Sequence, residues 1–450
     1  MASIKNQKLL PKNILSLRSL ILLILLGSLG VLFFSFSRWV AQNGWLSPEV
    51  YFFAFRSRLF HHASPQEGLG HFFLTYPFLP FLLSLFFSSP LFPPVVTGIF
   101  VTLFAIPWLK RFTPFCATLV FAGFLTSPFF LATLCVSPTI ILFYALFLNA
   151  LLTLLSFEKT NLVLYLFLGG ISLGLTILVL PLPWWFLIAL GGYILTNVRR
   201  PFTQRVSLLL VFFFPSMAIL GILAFSHWVY SDTSFGFLRA SYSFLPHFPP
   251  FTWENLRSSL PSLRLWHLFF FLPFLWSMRR ERRLLFWGAI LGIGNLWMGF
   301  PPSVLVTLFL FAAAFLGNTN PFPARNTFLG FSFLLCLVAG WLLFVHNPSS
   351  FFAPIPYTDL SLKVPDYVSI NRQLPSPSKT LILDHDSFLS VILTTPHPPI
   401  TSESPLFGMA TTHPHLFCDS IVAPHDYENP FPQFEEVWQG QTLKLYQKLP

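Results

Sequence analysis

The stretch GHFFLTYPFLPFLL, Gly70 to Leu83, is apolar enough to enter a bilayer, yet it carries Pro77 and Pro80 three residues apart. A spanning helix needs about 20 apolar residues to cross the ~30 Å hydrocarbon core. Each proline removes a backbone donor and obstructs a regular helix, a defect tolerated at membrane depth only where protein or a water-filled cavity satisfies the freed carbonyls. Whether this stretch crosses or turns back fixes the side on which every later loop emerges.

The surrounding chain shows that a membrane is the right frame. Hydrophobic residues make up 54% of the 450 positions and charged residues only 9%, with 58 Phe and a mean hydropathy of +0.68. That is more apolar surface than a soluble chain of this length can bury. The net charge of +10 does not point to nucleic acid, because the basic residues fall in short clusters between apolar runs, as topology determinants do. Three of the four cysteines, Cys116, Cys135 and Cys336, lie in apolar runs, and Cys418 stands alone in the polar tail. No Cys/His ligand spacing or disulfide framework is evident.

The first apolar run, Leu17 to Phe36, follows Lys5, Lys8, Lys12 and Arg18 and has no small-residue cleavage exit, so it reads as an uncleaved signal anchor with its amino end in the cytoplasm. Further runs fall near 91–109, 113–134, 139–157, 161–179, 182–197, 206–226, 263–278, 284–300, 302–317 and 327–345. If 70–88 were also a full crossing, Lys110 and Arg111, then Arg199, Arg200 and Arg205, then Arg279, Arg280, Arg282 and Arg283 would all face outward. That opposes the positive-inside bias. Reading 70–88 as a re-entrant or interfacial half-helix returns every cluster to the cytoplasmic side.

The expected fold class is therefore mostly α: a polytopic membrane helix bundle of about 11 crossings with one half-helix and a small external α/β C-terminal domain. The membrane part is expected over 1–345, with external loops at about 37–90 and 227–262, and the soluble part over 346–450. In that tail KTLILDHD (379–386), DSIVAPHD (419–426) and TLKLYQKL (442–449) read as strands between Pro-rich turns.

This order of parts resembles the bacterial GT-C glycosyltransferases, the superfamily of protein mannosyltransferases and the lipid A aminoarabinose transferase. TYPFLPFLLSLFF (75–87) is similar to the family's Tyr-Pro half-helix, and LTSPFFLATLCVSPTIILFYALFLNALL (125–152) to its third and fourth crossings joined by a short external turn. GGISLGLTILVLP (169–181) is similar to its Gly-rich fifth crossing, and HWVYSDTSFGFLRASYS (227–243) to a loop some members carry after the seventh.

The resemblance implies transfer of a sugar from a polyprenyl-phosphate donor to a lipid, glycan or protein acceptor at the external face of the cytoplasmic membrane. Such a reaction needs a general base for the acceptor hydroxyl and positive charge, or a divalent metal, at the leaving phosphate. The family has an acidic residue in the first external loop and a second in the turn between the third and fourth crossings. Here the first loop reads SRWVAQNGWLSPEVYFFAFRSRLF, and Glu49 is the acidic candidate, its alternative role being a first-turn helix acid after Pro48. At the second position Ser137 and Pro138 replace the acid, which puts carboxylate-pair metal binding in doubt.

Arg56, Arg58 and Arg239 are the candidates for the donor phosphate. Tyr51, His61, His62, His71, Tyr76, Asp232 and Tyr242 are candidates for the substrate cavity. For the arginines the competing role is to hold an amphipathic segment at lipid head groups. Asp384-His385-Asp386 reads as a strand-to-turn boundary in preference to a metal motif. Two other functions remain open at this stage: a degenerate GT-C relative acting as a scaffold in envelope assembly, and a transporter. The latter would want ionisable residues within the crossings, which are nearly free of them.

Overall fold

Proline recurs at the first turn of the helices, where its missing donor is an orphan in any case and its fixed φ suits the helix. The computed structural model describes residues 12–62, 78–87, 89–109, 113–179, 190–195, 201–231, 270, 302–316, 323–352, 358–375, 378–384, 387–393, 399–401, 407–428 and 431–449. A long first helix, α1 (Lys12–Gln42), is followed by α2 (Pro48–His62), a short α3 (Phe78–Ser84) and α4 (Phe92–Leu109). Then come α5 (Pro114–Leu125), α6 (Pro128–Val136), α7 (Pro138–Thr160), α8 (Val163–Ile177), α9 (Phe202–Ser231), α10 (Pro302–Leu316) and α11 (Pro323–His346).

Among the described residues four helices are long and apolar enough to cross a bilayer: Leu22–Gln42, Pro138–Thr160, Phe202–Val229 and Leu329–His346. The pair α5 and α6 is bent by 45° at its break and makes a fifth as one broken span. The cause is local. Ser127 caps α6, accepting from Phe130 N at 3.2 Å, with Pro128 at the first helical position. The break leaves the Thr126 carbonyl to the Trp341 indole N–H at 3.1 Å, a bond from α11. Shorter apolar helices run over Phe92–Ile106 and Val163–Ile177. The expected crossing at 284–300, all of 263–278 but Phe270, and most of 182–197 lie outside the described residues.

The proline-bearing stretch forms only the seven residues of α3, roughly 10 Å of helix and a third of a bilayer core. Pro80 sits in its first turn, and the neighbouring Leu79 N–H is taken by the Leu178 carbonyl at 2.9 Å, just past the end of α8. At the other end the Leu85 carbonyl accepts from Ser57 Oγ at 2.8 Å and from His61 Nε2 at 2.7 Å, both on α2. The chain then turns, and Phe87 stacks on Phe92 at 4.4 Å as α4 begins. The half-helix thus has its polar backbone ends satisfied by protein, which is what the membrane requires of a broken segment.

Beyond a 3-10 turn at Pro348–Phe351, α12 (Thr358–Gln373), a second 3-10 turn (Ser387–Ile392) and two short helices, α13 (Phe407–Thr412) and α14 (Pro414–Phe417), surround a four-stranded mixed sheet. Its strands are β1 (Thr380–Ile382), β2 (Ser420–Pro424), β3 (Phe434–Gln439) and β4 (Leu443–Lys448), in the order β1-β2-β4-β3. β1 pairs parallel to β2, and the other two pairings are antiparallel. The three strands read from the sequence are present, and β3 is added. Alternation divides the sheet: Ile382, Val422, Leu443 and Leu445 join the main core with Val364, Tyr367 and Ile370 of α12. On the other face Leu381, Ile421, Ala423 and Tyr446 form a smaller core with Ala410 and Cys418.

Candidate functional site

Ser47-Pro48-Glu49 starts α2, and Ser137-Pro138-Thr139 starts α7. The structure brings these two starts together. Ser47 N donates to the Cys135 carbonyl at 3.2 Å, which seats the beginning of α2 against the end of α6. Glu49 is buried, and its carboxylate reaches across to the first turn of α7. Oε2 accepts from Ser137 Oγ at 2.6 Å. Oε1 accepts from Thr139 N at 2.8 Å and from the Thr139 hydroxyl.

The carboxylate therefore lies at two helix starts at once, in the first turn of α2 and against the orphan donors of α7. Desolvation by burial raises its pKa above the ordinary carboxylate value, and the hydrogen bonds from Ser137 and Thr139 act to lower it. A carboxyl in that condition is a stronger base, once ionised, than one in water. Thr139 was not singled out in the sequence, although Ser-Pro-Thr before an apolar run is a capping signal that points to a helix start there.

The other candidates on α2 divide by helical period. Arg56 is seven residues on from Glu49 and shares its face, with the guanidinium 5.2 Å from the Phe52 ring centroid. Tyr51, Arg58 and His62 fall on the opposite face and line a separate cleft of about 610 Å³ with Ala41, Leu91, Val364 and Leu393. There Arg58 Nη1 donates to the Leu393 carbonyl at 2.7 Å, and desolvation lowers its pKa. Tyr51 is buried, which pushes its phenol up to about 12. His61 is held at the end of α3 through the Leu85 carbonyl. Glu49 and Arg58 are thus not brought together. His71, Tyr76, Asp232, Arg239 and Tyr242 lie outside the described residues.

For a metal, the described residues contain no group of three or more His, Cys, Asp or Glu side chains. Where the resemblance implies a second carboxylate, Glu49 meets the hydroxyls of Ser137 and Thr139. In the tail Asp384 pairs with Lys363 at 2.8 Å and with the Tyr367 hydroxyl at 3.3 Å, while His385 and Asp386 are outside the described residues.

An apolar first helix, α2 with its buried acid, the short α3 and a bent apolar bundle with a small α/β layer give this membrane protein a fold like that of solved GT-C glycosyltransferases. Among solved structures, the aminoarabinose transferase ArnT from Cupriavidus metallidurans bound to undecaprenyl phosphate matches with a TM-score of 0.50 at 13% identity, over 94% of this chain and 97% of that one. ArnT in the apo state gives 0.49 at 13% identity, over 95% and 98% of the two chains. The arabinofuranosyltransferase AftD from Mycobacteria gives 0.43 at 15% identity, over 94% of this chain and 40% of the other. No protein-family model matches the chain, and neither does any curated protein sequence.

Proposed function

We propose that the protein transfers a sugar from a polyprenyl-phosphate donor to an acceptor at the end of the bundle where α1 finishes, the external face of the cytoplasmic membrane. The observation that carries this reading is the buried Glu49 carboxylate, held by Ser137 and Thr139 on the face of α2 that turns toward the bundle. The fold it shares with ArnT, solved with undecaprenyl phosphate, supports the donor class.

In this reading Glu49 takes the proton of the acceptor hydroxyl as that oxygen bonds to the sugar's anomeric carbon. The bond from that carbon to the phosphate oxygen breaks, and the polyprenyl phosphate leaves. Arg56, on the same face, and Arg239 are the cations assigned to the developing charge. Tyr76, His71, Asp232 and Tyr242 remain candidates for the substrate cavity. Ser137 and Thr139 position the carboxylate and keep one of its lone pairs turned to the reaction.

The experiment is incubation of the purified protein with labelled polyprenyl-phosphate sugars and membrane-extracted acceptors. Glu49→Gln keeps the size and the acceptor oxygen of the side chain. It is expected to lower transfer by about 10²- to 10⁴-fold, the usual contribution of a general base, with expression intact. Transfer at the native rate by Glu49→Gln overturns the reading.

A further inference from the structure

The cleft on the other face of α2 does not reach the Glu49 carboxylate, and its lining has a chemistry of its own. Among the described residues its lining holds the basic side chains of Arg58 and His62, the hydroxyls of Tyr51 and Ser89 and no carboxylate, and the remaining walls are apolar: Val364 and Val368 of α12, Val391 and Ile392 of the second 3-10 turn, Leu393 just after it, and Pro90 and Leu91. A volume of about 610 Å³ is that of a small-molecule site.

Its position gives the second half of the argument. Ala41, the last residue but one of α1, and Leu91, directly before α4, both line it. α1 and α4 pack side by side, with Phe34 on Phe92 at 5.8 Å, and their outer flanks expose Leu23, Val31 and Leu103. Beside Ala41, Trp39 and Trp45 meet edge to face at 5.3 Å, the kind of aromatic pair that marks the interface between apolar core and water. A hydrocarbon chain lying along that flank therefore brings its head group to the mouth of the cleft.

We infer that this cleft seats the phosphate of an anionic membrane phospholipid, with Arg58 and His62 facing the phosphate and the valines facing the first carbons of its chains. The half-buried Arg58 guanidinium is held at the cleft wall by its bond to the Leu393 carbonyl. A phosphate beside it returns the charge stabilisation that burial removes. The bound lipid then bridges α2 to the C-terminal layer. The inference does not depend on sugar transfer, since the reacting carboxylate lies on the opposite side of α2.

The test uses the full-length protein in phosphatidylcholine nanodiscs doped with phosphatidylglycerol, with retained lipid read by native mass spectrometry. Phosphatidylglycerol is expected to be retained at least about tenfold over phosphatidylcholine, a difference of about 1.4 kcal/mol. Arg58→Gln should remove that preference. Val368→Trp fills the cleft from an exposed position without touching a charge, so it should also remove it even where Arg58→Gln disturbs the tail. Glu49→Gln should retain the lipid as the native chain does, which separates this test from that of transfer. Equal retention of the two lipids, unchanged retention in Val368→Trp, or release by millimolar inorganic phosphate in place of lipid would each overturn the assignment.

Discussion

At Glu49, burial raises the carboxyl pKa while Ser137, Thr139 and two helix starts favour the ionised form, and burial has the larger effect. The sign of the consequence is fixed. Because the folded chain holds this proton more tightly than the unfolded chain does, the stability it contributes is full below the ordinary value of 4.5 and is lost as pH rises through the raised value. Thermal unfolding of the native chain should therefore fall over that window relative to Glu49→Gln, which is locked neutral, and parallel curves for the two would contradict the burial argument. Glu49→Ala is a different change. It strips the acceptor from Thr139 N and from two hydroxyls, and should cost about 1–3 kcal/mol for the buried donors left behind. Sequence gave access to Glu49 as the acid and to Ser137 as the residue standing where a second acid was expected. The two stand 88 positions apart in the chain, and no local pattern records that they touch. The split of α2 was, by contrast, latent in the spacing: Arg56 shares a helical face with Glu49, and Arg58 does not.

Among the elements, α8 and α9 show how composition becomes packing. Gly169, Gly170 and Gly174 lie on the α8 face that meets Phe212, Pro215, Ser216 and Ile219 of α9. Small residues four apart let two backbones approach where no water is available to drive association. A Cβ at Gly174 would stand 2.6 Å from Ile219 Cδ1, the flexible end of a side chain, whereas at Gly170 it would meet the backbone carbonyl of Phe212, which cannot rotate aside. Gly170→Ala is therefore expected to destabilise by about 1–3 kcal/mol and Gly174→Ala by less, as read by thermal melting of the purified protein. The Gly-rich run was visible in the sequence, and its partner helix was not. The same holds for α5 and α6, where Ser-Pro marks the second start, but the 45° bend needs α11 and the Trp341 bond to be seen.

For the whole molecule, the joint between bundle and tail is apolar and aromatic. Trp45 stacks on Phe352 at 5.1 Å, Phe344 meets both Trp39 and Phe351, and Arg58 ties α2 to Leu393. Trp45→Ala should loosen this joint by about 3 kcal/mol or more and speed limited proteolysis within 347–393, while an unchanged digestion pattern would show that the stack holds nothing. The alternating apolar runs of the tail were readable as three strands. β3, FEEVWQ, was missed because its exposed Glu435, Glu436 and Val437 break the alternation that marks a half-buried strand.

At seven residues, α3 is too short to cross a bilayer core, and both of its ends are tied to protein. A segment of that length adds nothing to the parity of a chain's passages. Lengthening it by three or four turns would make it long enough for a passage of its own, and one added passage inverts the side of every loop that follows.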